Sequence, residues 1–313
     1  MATKQPIFIG PEQIDSLCEI AEIMEIQEKV FIEFVNGRAV MGPRAILTQS
    51  ENAQFSYIAR ASADGPTIVK FGSVIPSNAQ RDISVVQTTV AALNPITGSI
   101  DFFFDGETVT KWRTVAASMA AAKHLANPIH TVGVIGLGHQ GIVHIEAIHK
   151  IFAPERIIGF SRSAKTLDLG FPVESTTDMS ALNECDLIFV CTNSIVPVVT
   201  SDLKPGTTCI SIGSFGPNRV EVAPEVLAKA DKVFGDDAET ISKQAGSVVV
   251  TLPRDDRKWS KPESIGDLFD QRIKGRTNPE EVIYYFSVGL GIQDAAMVEY
   301  LLHSESFASS DRK

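Results

Sequence analysis

The stretch VGVIGLGHQGIV, Val132 to Val143, decides the fold. An apolar β-type run leads into Gly136-Leu137-Gly138-His139-Gln140-Gly141, and a helical pattern follows. In a GxGxxG turn of this kind the first glycine allows the tight bend. The second lets backbone N–H groups approach a pyrophosphate, and the third lets the helix pack closely on the strand. The positive end of that helix favours phosphate. Gly136, Gly138, His139, Gln140 and Gly141 are therefore read as dinucleotide-binding positions.

Downstream, the run RIIGF ends in Ser161-Arg162-Ser163. A site for NAD usually offers a carboxylate there for the ribose hydroxyls, whereas a guanidinium and two hydroxyls suit a 2′-phosphate. The expectation is NADP(H), with NAD(H) left open. The chain then alternates: strand 130–135, helix 139–151, strand 156–161, strands 186–191 and 207–212, helix 223–229, strand 231–235. This predicts a doubly wound parallel sheet.

Upstream the pattern differs. PIFIG (6–10) reads as a strand and Pro11 to about Asn36 as one helix, ended by Asn36-Gly37. Five β-like runs without intervening helices follow, AVMG, AQFSYIARAS, TIVKFGSV, SVVQTTVAAL and SIDFFF, which suggests an antiparallel or mixed sheet. The alanine-rich helix TVTKWRTVAASMAAAKHLA leads into the glycine loop, and SVGLGIQDAAMVEYLL reads as a last amphipathic helix packed back on the first domain. The predicted fold class is α/β: a Rossmann-type domain over 113–287, plus an α+β domain over 1–112 with 288–313.

Composition narrows the function. With 313 residues, 44% hydrophobic, the chain can bury a core without metal or disulfide support. A formal net charge of -10 and no basic run argue against nucleic acid and anionic membranes. The N-terminus lacks an apolar signal core. The four cysteines lack CxxC spacing, and thiols inside DLIFVCT and TTCISIG read as buried and reduced, so a cytoplasmic protein is expected.

Together the motifs resemble the ornithine cyclodeaminase/mu-crystallin family. The resemblance runs through PRAIL (43–47), VKFGSVIPSN (69–78), Thr97-Gly98, DGETVTKWRTVAASMAAAKHLA (105–126), the glycine loop, CTNSIVPVV (191–199), GSFGPNRVEV (213–222) and SVGLGIQDAA (287–296). It implies that the residues before the glycine loop form the substrate floor and the interface of a homodimer. It also implies that Arg44, Lys70 and Arg113 contact the substrate carboxylate or reacting centre, and that Thr192 joins the cofactor contacts. The chemistry agrees. Two guanidiniums can grip a carboxylate by paired hydrogen bonds, and a lysine within an apolar strand needs a partner and can donate a proton. From residue type alone, Arg44 is equally a surface charge and Arg113 a partner for Glu107 or Asp105.

Where cyclodeaminases of that family carry GGDxPGKxE, this chain reads Gly213-Ser214-Phe215-Gly216-Pro217-Asn218-Arg219-Val220-Glu221. Phe215 falls at the position of the acid/base aspartate, and a phenyl ring transfers no proton. The resemblance then implies the reductase branch: NAD(P)H-dependent reduction of an α-imino acid, reversible as an amino-acid dehydrogenase, with Phe215 packed against substrate or nicotinamide. Two alternatives stay open, an ornithine-type cyclodeaminase with recycled NAD and an NADPH-binding protein for a small ligand. Arg81-Asp82 and Trp112 are expected to shape the pocket. Five of six histidines fall between 124 and 149 without ligand spacing, so no metal is expected. Asp236-Asp237 with Glu239 reads as an acidic helix start, and Asp294 as a helix cap, with an approach to the nicotinamide side as the alternative.

Overall fold

The computed structural model describes residues 5–81, 83–163, 165–214 and 216–304. Elements before the glycine loop are β1 (Ile7–Ile9), α1 (Pro11–Leu17), α2 (Ile20–Val35), β2 (Val40–Met41), β3 (Ala45–Gln49), β4 (Asn52–Arg60), β5 (Thr67–Val74), β6 (Val86–Leu93), β7 (Ile100–Asp105) and α3 (Gly106–Leu125). Then come β8 (Thr131–Ile135), α4 (His139–Phe152), β9 (Arg156–Phe160), β10 (Glu174–Thr176), β11 (Leu187–Val190), β12 (Thr208–Ser211), α5 (Pro224–Leu227), β13 (Lys232–Gly235), α6 (Ala238–Gln244), α7 (Gly246–Thr251), β14 (Glu263–Ser264), α8 (Ile265–Phe269), β15 (Ile283–Phe286) and α9 (Gly291–His303). The chain separates into two compact units. One runs to Ala116 and resumes at Leu290; the other is Ala117–Gly289.

The first unit is built on a sheet ordered β1-β7-β6-β5-β4-β2, with β3 also on β4. Only the β1–β7 pairing is parallel. Strand alternation divides its residues. Tyr57, Lys70 and Val90 lie opposite one another on β4, β5 and β6 and share the buried face. Helix α9 packs on β4 and β5, with α2 against it. Gly291 permits this approach, since a Cβ there would stand 2.9 Å from the Tyr57 ring.

The expected helix over 11–36 is two helices. Cys18 and Glu19 are extended, and the Tyr300 hydroxyl donates to the carbonyl of Leu17 at 2.9 Å. Apolar spacing carries straight through this break because both helices bury their faces in the same core (Ile14, Ile20, Ile23, Met24). Strand β3 was also absent from the sequence reading: all five of its residues are exposed, so no alternation marks it.

The second unit holds a sheet ordered β10-β9-β8-β11-β12-β15-β13-β14, parallel at every pairing. Its central strands β8, β11, β12 and β15 are buried throughout, as strands covered on both faces must be. The order reverses between β8 and β11, where doubly wound sheets bind their ligands, and the glycine loop follows β8. Strand β15, missing from the sequence reading, inserts between β12 and β13. Asp236 also departs from expectation. Asp237 caps α6 by accepting from the Thr240 N–H at 2.8 Å, but Asp236 is buried and accepts from the Tyr285 and Ser287 hydroxyls and the N–H groups of Val288 and Gly289.

Candidate active site

In the cofactor unit, the three glycines of the loop have three separate physical reasons. Gly136 has φ +95°, and a Cβ there would meet the Cys191 carbonyl at 2.5 Å. At Gly141 a Cβ would lie 1.9 Å from the Gly136 carbonyl oxygen, so helix and turn could not close. A Cβ at Gly138 would meet nothing of the chain, so the space it would fill lies open at the N-terminal end of α4. That cradle fits a pyrophosphate. His139 and Gln140 open α4; His139 is exposed, and the Gln140 carbonyl accepts from His144 Nδ1 at 2.7 Å.

Around this cradle, Ser161, Arg162 and Ser163 follow β9, with Arg162 and Ser163 exposed and the Ser161 hydroxyl donating to the Ser163 carbonyl. Lys165, which sequence reading passed over, brings its ammonium to the Leu137 carbonyl of the glycine loop at 3.4 Å. Thr192 does not offer a free hydroxyl: it donates to Glu221. Glu221 is fully buried and also accepts from the Ser211 hydroxyl (2.6 Å) and the N–H groups of Thr192 (3.1 Å) and Gly213 (3.0 Å). Burial pushes its carboxyl up, against these donors. It ties together the loops that leave the C-terminal ends of β11 and β12. Phe215 lies outside the described residues.

The first unit gathers Arg44, Lys70 and Arg113. Lys70 is 3% exposed, and its ammonium donates to Asp294 Oδ1 at 2.7 Å and to Thr110 Oγ1 at 2.5 Å. The Thr110 hydroxyl is itself committed as a donor to the Gly106 carbonyl. Burial lowers the lysine's proton affinity and Asp294 opposes that fall. Arg113 Nε stands 3.8 Å from Asp294 Oδ1, with Nη1 donating to Gln293 Oε1 at 3.5 Å. Arg113 therefore faces α9 and not Glu107 or Asp105; Asp105 caps α3 through the Thr108 N–H. Arg44 lies over the Tyr57 ring, 5.0 Å from its centroid.

Asp294 corrects the sequence reading. It sits one turn inside α9, nearly fully buried, and spends its oxygens on Lys70 and the Tyr57 hydroxyl instead of capping the helix. Burial pushes its carboxyl up, but Lys70 and Arg113 bring it below the ordinary range. Trp112 donates its indole N–H to Asp15 on α1 at 2.7 Å. Arg81 is exposed beside Ser77 and Asn78, while Asp82 lies outside the described residues. Among the described residues no three metal-binding side chains gather, and no helix is long and apolar enough to cross a membrane. All four cysteines are free thiols; Cys185 and Cys209 are buried, Cys18 and Cys191 half-buried.

A glycine loop at the reversal point of a doubly wound parallel sheet makes this a Rossmann-type protein. The family model of the ornithine cyclodeaminase/mu-crystallin family matches residues 5–307, and the chain belongs to that family. It is 28% identical to an alanine dehydrogenase of Archaeoglobus fulgidus, covering 94% of both chains. It is 26% identical to a Δ1-pyrroline-2-carboxylate reductase of Bacillus cereus, covering 94% of this chain and 95% of that protein. The fold also matches the structure of Thermococcus litoralis Δ1-pyrroline-2-carboxylate reductase in complex with NADH and L-proline. There the TM-score is 0.88 at 23% identity, over 97% of this chain and 98% of that one.

Proposed function

We propose that this protein reduces the C=N bond of an α-imino acid with NAD(P)H, and that it runs in reverse as an amino-acid dehydrogenase. The observation that carries the reading is Lys70, a buried ammonium with two fixed acceptors and with Arg113 and Arg44 gathered around the same Asp294–Tyr57 pair. The activities named for the two relatives, alanine dehydrogenase and Δ1-pyrroline-2-carboxylate reductase, share this chemistry.

Such a reduction needs a carboxylate held still, a hydride at carbon and a proton at nitrogen. A dinucleotide held at Gly136–Gly141 would supply the hydride. Arg44 and Arg113 grip the carboxylate. As hydride adds to the imine carbon, the C=N π pair moves to nitrogen. One Lys70 N–H bond breaks as the substrate N–H bond forms, and the lysine regains its proton from solvent. In reverse, neutral Lys70 takes the proton from the amine nitrogen before hydride leaves Cα. Phe215 supports this reading over cyclodeamination, because no acid stands at that position to drive ring closure and ammonia loss.

Two finer assignments follow. The cofactor is NADP(H): no carboxylate occupies 161–163, while Arg162 and Lys165 offer positive charge after β9 and beside the glycine loop. The protein is a homodimer, joined through the face of the first sheet that points away from α9. Phe8, Phe103, Ala91, Val69 and Ile58 lie directly opposite one another in one apolar row across five strands, with Phe8 58% and Ile58 48% exposed. Ile58→Glu is expected to yield monomers in light scattering.

The deciding experiment follows NADPH and NADH oxidation with cyclic imino acids, and with 2-oxo acids plus amines. Oxidation on at least one substrate is expected, faster with NADPH. Silence across both panels, with ammonia released from ornithine, would reinstate the lyase.

A further inference from the structure

We infer that Asp294 is the positioning residue for all three cations of the first unit, holding Lys70 and Arg113 by charge and Arg44 through the ring of Tyr57. The inference rests on the reductase reading for its kinetic consequence, and on geometry alone for its binding consequence.

Asp294 spends its two oxygens in two directions. Oδ1 accepts from Lys70 and faces Arg113, whereas Oδ2 accepts from the Tyr57 hydroxyl at 2.7 Å. Tyr57 stands opposite Lys70 in the β4–β5 register, so hydroxyl and ammonium rise side by side from one sheet face toward α9. Burial, reinforced by Asp294, raises the phenol well above its usual range, which keeps it a donor. With its hydroxyl held, the ring is fixed, and the Arg44 guanidinium lies on its face.

Lys70 is held in a defined orientation by the same contacts. Thr110 can only accept from it, because its own hydroxyl proton goes to Gly106. Asp294 accepts a second N–H, which leaves the third for a substrate atom. The groups facing Lys70 are Asp294 on α9, Arg113 on α3, and Arg44 and Tyr57 on the sheet side. Asp294 is the sole acid among them. A buried ammonium beside two guanidiniums loses its proton readily unless such a carboxylate opposes them.

The test uses two readouts on the full chain. The first is affinity for pyrrole-2-carboxylate, a planar carboxylate that accepts no hydride. Tyr57→Phe keeps the ring but cuts its tie to Asp294 and is expected to weaken binding about threefold, whereas Tyr57→Leu removes Arg44's support altogether and weakens binding roughly tenfold. The second is the pH profile of kcat for imine reduction. Activity that needs the ammonium falls as pH rises through the Lys70 pKa, so Asp294→Asn moves that limb down by about one pH unit or more.

Wild-type affinity in Tyr57→Phe would overturn the Arg44 arm. An Asp294→Asn profile superimposed on wild type would overturn the Lys70 arm, with tight NADPH binding by that variant showing that it folds. A wild-type protein that turns over no imino acid would sink the reductase reading instead, and pyrrole-2-carboxylate affinity would still decide the Arg44 arm.

Discussion

The two units build their sites by opposite means. In the cofactor unit the decisive groups lie within one short stretch: Gly136, Gly138 and Gly141 act through backbone, and a strand, a turn and a helix N-terminus follow one another in sequence. In the first unit Arg44, Tyr57, Lys70, Arg113 and Asp294 come from separate elements, and 224 positions separate Lys70 from its carboxylate. Backbone recognition of phosphate needs only local geometry. Holding a buried ammonium needs an opposite charge, and a strand cannot bring one from its own neighbours, because they point to the other face.

The largest expected effect breaks the assembled site. Lys70→Ala removes the proton donor and should lower kcat for imine reduction by about 10²–10⁴ while NADPH affinity holds. A variant within tenfold of wild type by stopped-flow absorbance would move the proton transfer elsewhere. Next comes the local site. The alanine Cβ in Gly141→Ala forces the turn open, so dinucleotide affinity, read by fluorescence titration, is expected to fall about a hundredfold. Pyrrole-2-carboxylate binding to the other unit should survive. If both ligands are lost together, the variant has failed to fold and the contrast between units must be read from Lys70→Ala alone.

A smaller change sharpens the cofactor side. Arg162→Ala should cost NADPH about tenfold in kcat/KM and leave NADH nearly unchanged; equal losses for the two would show that no 2′-phosphate is read there. The smallest effect concerns stability. His144, on the buried side of α4 against Phe189, has its pKa lowered to about 4 by burial, the hydrogen bond to the Gln140 carbonyl opposing. The unfolded chain binds that proton near pH 6.5 and the folded chain only near 4. Stability is therefore full above about pH 6.5 and lost as pH falls toward 4, by up to about 3 kcal/mol. His144→Leu should flatten that part of the Tm–pH curve in calorimetry, and an unchanged slope would assign the acid sensitivity to other groups.

Legibility in the sequence follows the same division. The glycine loop, the alternating second half and the mostly antiparallel first sheet were readable because each rests on a local period or turn. Lys70 was visible as a cation needing a partner, yet the partner was not. Asp294 lies in the first turn of a helix near the chain's end and resembles a cap until α9 is laid on β5. Tyr57 carries no signal in the sequence; only the β4–β5 register sets it beside Lys70. Strand β15 did carry one, the apolar aromatic run Ile283–Phe286, but it stands apart from the alternating strand–helix pattern that marks the other strands of the second unit. The break at Cys18–Glu19 left none, since apolar spacing is preserved across it.

What the sequence by itself determined is the dinucleotide cradle, the family, and the set of cations available for a carboxylate. These depend on short-range sterics and on charge, which residue order specifies directly. Only the tertiary structure decided which acid meets those cations, which ring carries Arg44, and that Asp236 and Glu221 are buried carboxylates ringed by hydrogen-bond donors. Such pairings join groups far apart in the chain, and only packing determines which buried charge finds which partner.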